Sequence, residues 1–317
     1  MVRADIQNRL VETSKTNNSR VSAQIAYTFA PPDIVPQTLT APTTLTLNQS
    51  RPTIDVYWAV KNQSTRLAPN GWNDELYFST DTILDAQDTH LGTFWRSGTL
   101  EGGASYQQSQ RVRLPDFPSG TYYLFVKVDA SNRLVESNDA NNTRYQQIQI
   151  AVASVNPGTS KQVTLSSYNR YYYEVNAEAG KNLLVTFADR SSTAGLQADQ
   201  PVKLFMSKDK LPSEDNHEHS AQSQGTQLFA EVPIAATQAG KYYVLVVIPH
   251  LVGSPISTSI ESSYVDFHVT GVSPNKGSNA GSLTSQLTGI GLGSENTVTL
   301  IGPSGQRIDG GEFRPIS

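Results

Sequence analysis

Apolar residues in this chain recur at every second position in short runs, and the runs are separated by clusters of Pro, Gly, Asn and Asp. Period two is the spacing of side chains on one face of a strand, and the intervening residues are the ones that favour turns. GTYYLFVKVD at residues 120–129 is a clear example, set off by the turn residues Pro118, Ser119 and Gly120. The same reading predicts strands at 43–47, 54–61, 75–79 and 145–152. A second set is predicted at 162–165, 171–177, 183–188, 202–207, 228–233 and 241–248. No window sustains a helical period with caps. The predicted fold class is all-β.

A repeat divides the chain. Residues 2–20 read VRADIQNRLVETSKTNNSR and residues 126–144 read VKVDASNRLVESNDANNTR, aligned without a gap and identical at about half their positions. The offset of 124 residues is the size of one sandwich domain and far longer than a solenoid unit. Asp and Asn dominate the turns of both copies because their side chains bond nearby backbone and tolerate positive φ. The second copy closes a module, so the first is expected to be the end of an earlier one. The expected modules are a remnant at 1–30, a complete sandwich at 33–151, another at 156–250 and a final truncated segment at 265–317. A Ser-rich link at 253–263 is expected before the last.

Composition narrows the function classes. The chain has 317 residues, a net charge of −4 and no run of basic residues, so it lacks the Lys/Arg stripe that phosphate binding needs. No nucleic-acid partner is expected. No stretch of about 18 apolar residues exists, so no membrane insertion is expected either. Cysteine is absent, as in many bacterial exported proteins and in cytosolic ones. MVRADIQNRL has no apolar core of a signal peptide, so any export signal is expected outside this chain.

Several short motifs in order carry a family resemblance. They include Trp58-Ala59-Val60-Lys61-Asn62, Trp72-Asn73-Asp74, Tyr77-Phe78-Ser79, Leu91-Gly92, Gly120-Thr121-Tyr122-Tyr123 and the stretch 136–142. With these, residues 33–151 resemble CARDB, the cell-adhesion-related domain found in bacteria, and residues 1–27 resemble its tail. Tyr171-Tyr172-Tyr173, Gly180, Val202-Lys203-Leu204-Phe205 and the strand from Gly240 make residues 156–249 similar to the bacterial pre-peptidase C-terminal domain. Val272-Ser273-Pro274, Gly277, Gly281, Leu287-Thr288-Gly289 and Gly291-Leu292-Gly293 resemble the start of an IPT/TIG domain. The resemblances imply tandem immunoglobulin/fibronectin-like and jelly-roll-like β-sandwiches in a bacterial secreted or cell-surface protein, with accessory roles.

Candidate chemistry is sparse. Asp81, Asp85 and Asp88, with Asn73 and Asp74 nearby, form the densest oxygen cluster, and calcium takes six to eight such ligands. Asp129, Asn132, Glu136 and Asn138 offer a second oxygen-rich turn. Turn formation accounts for both; no cofactor is expected, with calcium as the candidate at these turns. His217 and His219 with Glu214 or Asp215 could ligate zinc, but a solvated polar loop explains them as well. Gly289, Gly291 and Gly293 lack the helix that a nucleotide loop needs. There is no G-x-S-x-G elbow, no Cys nucleophile and no H-E-x-x-H, so no enzyme is expected. Trp58 reads as core, whereas Trp72 and Trp95 adjoin loops where an indole could stack on a protein or glycan surface ligand. The expected function is an extracellular adhesion scaffold and spacer. The alternatives are the accessory region of an exported hydrolase and a carbohydrate-binding module.

Overall fold

The computed structural model describes residues 2–21, 30–188, 196, 200–252, 255–274, 284–293, 296–301, 305 and 307–309. The fold is all-β, and among the described residues there is one short 3-10 turn, at Asp139–Asn141. Strands β1 (Val2–Arg3) and β2 (Ser19–Arg20) form an N-terminal hairpin. The first sandwich follows. Its strands are β3 (Ile34–Thr40), β4 (Thr44–Leu47), β5 (Thr53–Asn62), β6 (Trp72–Ser79), β7 (Thr89–Arg96), β8 (Ser105–Arg113), β9 (Gly120–Lys127) and β10 (Thr143–Val152). A three-stranded sheet, β3-β5-β8, packs on a five-stranded sheet, β4-β10-β9-β6-β7. Neighbours within both sheets are antiparallel except β4, which runs parallel to β10.

Alternation sets the core of this sandwich. In β5, Ile54, Val56, Trp58 and Val60 are buried while Thr53, Asp55 and Tyr57 face solvent. In β6 the buried set is Trp72, Asp74, Leu76 and Phe78, joined by Ser79 at the end of the strand. The two inner faces interdigitate, and because the period is two, a slip of one residue would exchange core for surface.

The second sandwich is built from β11 (Thr159–Leu165), β12 (Arg170–Ala177), β13 (Leu183–Phe187), β14 (Lys203–Lys208), β15 (His219–Gln222), β16 (Ala230–Ile234), β17 (Gly240–Val247) and β18 (Ile256–Tyr264). Its sheets are β11-β18-β13-β16 and β12-β17-β14-β15. Here the expected Ser-rich link is corrected. Residues 256–264 are a strand that lies between β11 and β13 and pairs with both. Thr258, Ile260 and Ser262 are buried, and the Ser262 hydroxyl donates to the Val155 carbonyl. Alternating hydroxyl residues thus fill an interior strand, where a compositional reading sees a linker.

Two hairpins end the described chain, β19 (His268–Ser273) with β20 (Gln286–Ile290) and β21 (Thr299–Ile301) with β22 (Arg307–Asp309). The first docks on the second sandwich through His268 against Glu231 at 2.9 Å and Asn182 Nδ2 donating to the Asp266 carbonyl. Gly277 and Gly281, two of the motif glycines named above, lie outside the described residues, as do 22–29 of the N-terminal segment. Among the described residues no helix is long and apolar enough to cross a membrane.

Candidate functional site

The repeated segment folds alike in both copies. Asp129 turns to positive φ and its carboxylate accepts from Arg133 N at 2.9 Å and Leu134 N at 2.8 Å. Asp5 does the same with Arg9 N at 2.7 Å and Leu10 N at 3.0 Å. Val2 pairs with Arg20 as Val126 pairs with Arg144. The environments differ. Leu134 is 5% exposed in the first sandwich core, and Leu10 is 63% exposed. Burial pushes the Asp129 carboxyl up, whereas the backbone bonds from Arg9 and Leu10 hold that of Asp5 below its ordinary value.

Glu136 closes the second copy against the start of β3. Its Oε2 accepts from Ile34 N at 2.6 Å and its Oε1 from Asn142 Nδ2 at 2.9 Å. Burial raises its carboxyl to about 7. Asn138 caps the 3-10 turn by accepting from Ala140 N. These oxygens are therefore engaged in holding loop backbone.

The three aspartates after β6 do not converge on a common point. Asp81 Oδ1 accepts from Ile83 N and Asp85 Oδ1 from Gln87 N, each at 2.8 Å, and Asp88 Oδ2 accepts from Asp85 N at 2.8 Å. Each carboxylate satisfies its own turn. Asp74, close in sequence, points the other way into the core. Among the described residues no group of three or more His, Cys, Asp or Glu side chains could hold a metal ion. The loop with His217 and His219 is likewise committed elsewhere: the His217 ring lies 4.6 Å from that of Phe205, and Glu214 pairs with Arg170 and Lys203.

The two loop-side tryptophans separate. Trp72 is corrected from a surface candidate to a core residue. It is fully buried, its Nε1 donates to the Tyr106 hydroxyl at 3.1 Å, and the Arg96 guanidinium covers its ring at 4.5 Å. Trp95, on the edge strand β7, is 51% exposed, with the Arg133 guanidinium 5.0 Å from its ring centre. The register explains the difference. Trp72 sits on the inner parity of β6, and Trp95 pairs with Asn73 on the outer parity.

Behind Trp72 lies a polar network that sequence reasoning did not find. The fully buried Asp74 carboxylate accepts from Trp58 Nε1 at 2.7 Å and from the Tyr106 hydroxyl at 2.7 Å. Burial raises its carboxyl to about 6, against the opposing pull of these donors. On the outer face of the same sheet, Thr93 Oγ1 bonds His90 Nε2 at 3.0 Å and Glu75 at 3.2 Å. The hydroxyl thus stands between acid and imidazole, so the carboxylate does not orient the ring as it does in a hydrolytic triad.

Residues 31–146 match the CARDB family model. The match runs from just before β3 into β10. Among solved structures, the CARDB domain of a Pyrococcus furiosus protein, in complex with di-metal ions, is similar at 18% identity, covering 40% of this chain and 99% of that one with a TM-score of 0.31. The pre-peptidase C-terminal domain of a collagenase from Bacillus anthracis is similar at 14% identity, over 36% and 93%, with a TM-score of 0.25. The secreted serine protease VesC from Vibrio cholerae is similar at 10% identity, over 72% and 50%, with a TM-score of 0.26. No curated protein matches the chain.

Proposed function

We propose that this chain is a non-catalytic extracellular array of modules, part of a bacterial secreted or cell-surface protein, that serves as an interaction scaffold and as a stiff spacer. The observation that carries the reading is the seam between the CARDB-matched sandwich and the next. Edge strand β12 is bonded by chain from the first module, Ser50 N donating to the Arg170 carbonyl at 3.0 Å and Tyr172 N to the Asn48 carbonyl at 3.3 Å, and by the connection that follows β10, where Glu174 N donates to the Ala153 carbonyl at 3.0 Å. Ser119 Oγ donates to Glu174 Oε2 at 2.5 Å and accepts from Val152 N at 2.7 Å, while Lys241 Nζ lies 3.2 Å from the same carboxylate. Tyr172, Phe205, Tyr243 and Leu245 of the second module pack into the core cluster of the first. A junction in which backbone groups and apolar area are both committed resists hinge motion, unlike an exposed polar linker. The pre-peptidase-like character of the second sandwich and the IPT/TIG-like character of the last hairpins belong to the same proposal and rest on their motifs.

The chain has no cysteine, so the test is direct. Spin labels on cysteines introduced at the exposed Ser109 and Lys161, one in each sandwich, are expected to give one narrow distance distribution. Ser119→Ala combined with Glu174→Ala is expected to broaden it. A broad distribution in the otherwise unaltered chain would refute the spacer.

A further inference from the structure

We propose that the outer face of the five-stranded sheet binds a neutral polysaccharide across the rings of His90, Tyr77 and Tyr145, with Phe125 buried beneath Tyr145 as the support of the row. Strand register builds the row: Tyr77 pairs with His90 on one side and Phe125 on the other, and Phe125 pairs with Tyr145. Four adjacent strands each contribute one ring, and three interstrand spacings give a length of about 14 Å. That suits an oligosaccharide segment better than a single sugar.

The rings are fixed before any ligand arrives. Phe125 is 3% exposed although it belongs to neither hydrophobic core, so its burial is supplied by the face itself. Tyr145, 48% exposed, lies over it with ring centres 5.3 Å apart, and Tyr123 meets Tyr145 edge-on at 5.6 Å. Tyr77 meets the His90 ring at 5.2 Å and donates its hydroxyl to Glu75, which also holds Thr93. Immobilised rings lose little entropy on binding.

The chemistry of the face selects the occupant. Glu75 and Lys127, directly opposed across β6 and β9, supply its opposite charges, so it attracts neither a polyanion nor a polycation. No outward side chain on these strands is aliphatic beyond Ala151, and the exposed Trp95, under Arg133, stands on the same face but away from the row, opposite Asn73, four positions along β6 from Tyr77. What surrounds the rings is hydroxyl and amide, including Gln147 and the Gln149–Thr121 pair at 2.8 Å. A pyranose presents an apolar C–H face to a ring and hydroxyls around its rim, and this surface complements both. The proposal deepens the scaffold reading and rests on it only for its setting. A broad spin-label distribution would remove the spacer and leave the glycan face standing, and a failure to bind glycan does the reverse.

The test is affinity electrophoresis of the full chain in native gels. The gels would contain a β-glucan, a xylan, a galactomannan or an α-glucan, with alginate as the anionic comparison. Retardation by at least one neutral polymer is expected. Tyr145→Ala and Tyr77→Ala should each weaken it about tenfold, as expected for loss of one aromatic contact. Tyr145→Phe, which keeps the ring and the cover over Phe125, should retain it. Tyr57→Ala, on the opposite sheet, should leave it unchanged. Melting curves of each variant separate lost binding from lost folding. No retardation by any neutral polymer, retardation by alginate alone, or equal loss on Tyr57→Ala would overturn the proposal.

Discussion

Asp74→Asn is expected to flatten the pH dependence of the first sandwich. Asp74 is fully buried, and burial raises its carboxyl from 3.8 to about 6 despite donors from Trp58 and Tyr106. Between those values the folded chain holds a proton that the unfolded chain has released. Stability from this group is therefore full below about pH 4 and is lost as pH rises through about 6. The rise from 3.8 to about 6 corresponds to about 3 kcal/mol, of which about 2 kcal/mol falls between pH 4 and pH 8. Asparagine imitates the protonated acid: its oxygen can accept from Trp58 Nε1, and its amide can donate to the Tyr106 hydroxyl. The assay is urea unfolding followed by tryptophan fluorescence, since all three tryptophans lie in this sandwich. The unaltered chain should lose about 2 kcal/mol relative to Asp74→Asn between the two pH values. Glu136, also raised, titrates in both proteins and cancels in the difference. A difference independent of pH would refute the reasoning, and one of opposite sign would mean that the donors outweigh burial.

Other outcomes follow from the same structure. Leu134→Ala should cost about 2–4 kcal/mol by the same urea assay, while Leu10→Ala, its counterpart in the uncovered copy, should stay within about 0.5 kcal/mol. Gly71→Ala should lower the melting temperature, because a Cβ there would stand 2.2 Å from the Arg96 carbonyl oxygen and 2.7 Å from Trp95. The loss should be about 1–3 kcal/mol. Calcium, added after EDTA, should leave the melting temperature unchanged, because Asp81, Asp85 and Asp88 each accept from turn backbone. A rise with calcium would restore the site.

The turn chemistry of the repeat is legible in the residues themselves. Asp and Asn at fixed offsets bond their own backbone, so the pattern in residues 2–20 and 126–144 carries its geometry with it, and both copies fold to the same register. The strands of alternating apolar residues are legible for the same reason: period two is a local property. Strands that lack it are not. Residues 105–113, SYQQSQRVR, bury little beyond Val112, and residues 256–264 bury hydroxyls, so neither presents an apolar signal. Both are strands because neighbours distant in sequence supply their hydrogen bonds.

The candidate site divides along the same line. That Trp72, Asp74, Asp81 and Trp95 are chemically capable residues is written in the sequence, but which way each one faces is not. A strand offers two faces, and only the pairing of β6 with β7 and β9 decides that Asp74 enters the core while Tyr77 and Glu75 look outward. The aromatic row joins residues up to 68 positions apart, from Tyr77 to Tyr145, through three strand registers. The seam likewise joins Ser119 to Glu174. By itself the sequence determined the β class, the turns and the repeat, because those are set by neighbours along the chain. Tertiary structure alone decided which face was buried, which carboxylates had been consumed by backbone and which rings stood together, because those depend on long-range register and on where water is excluded.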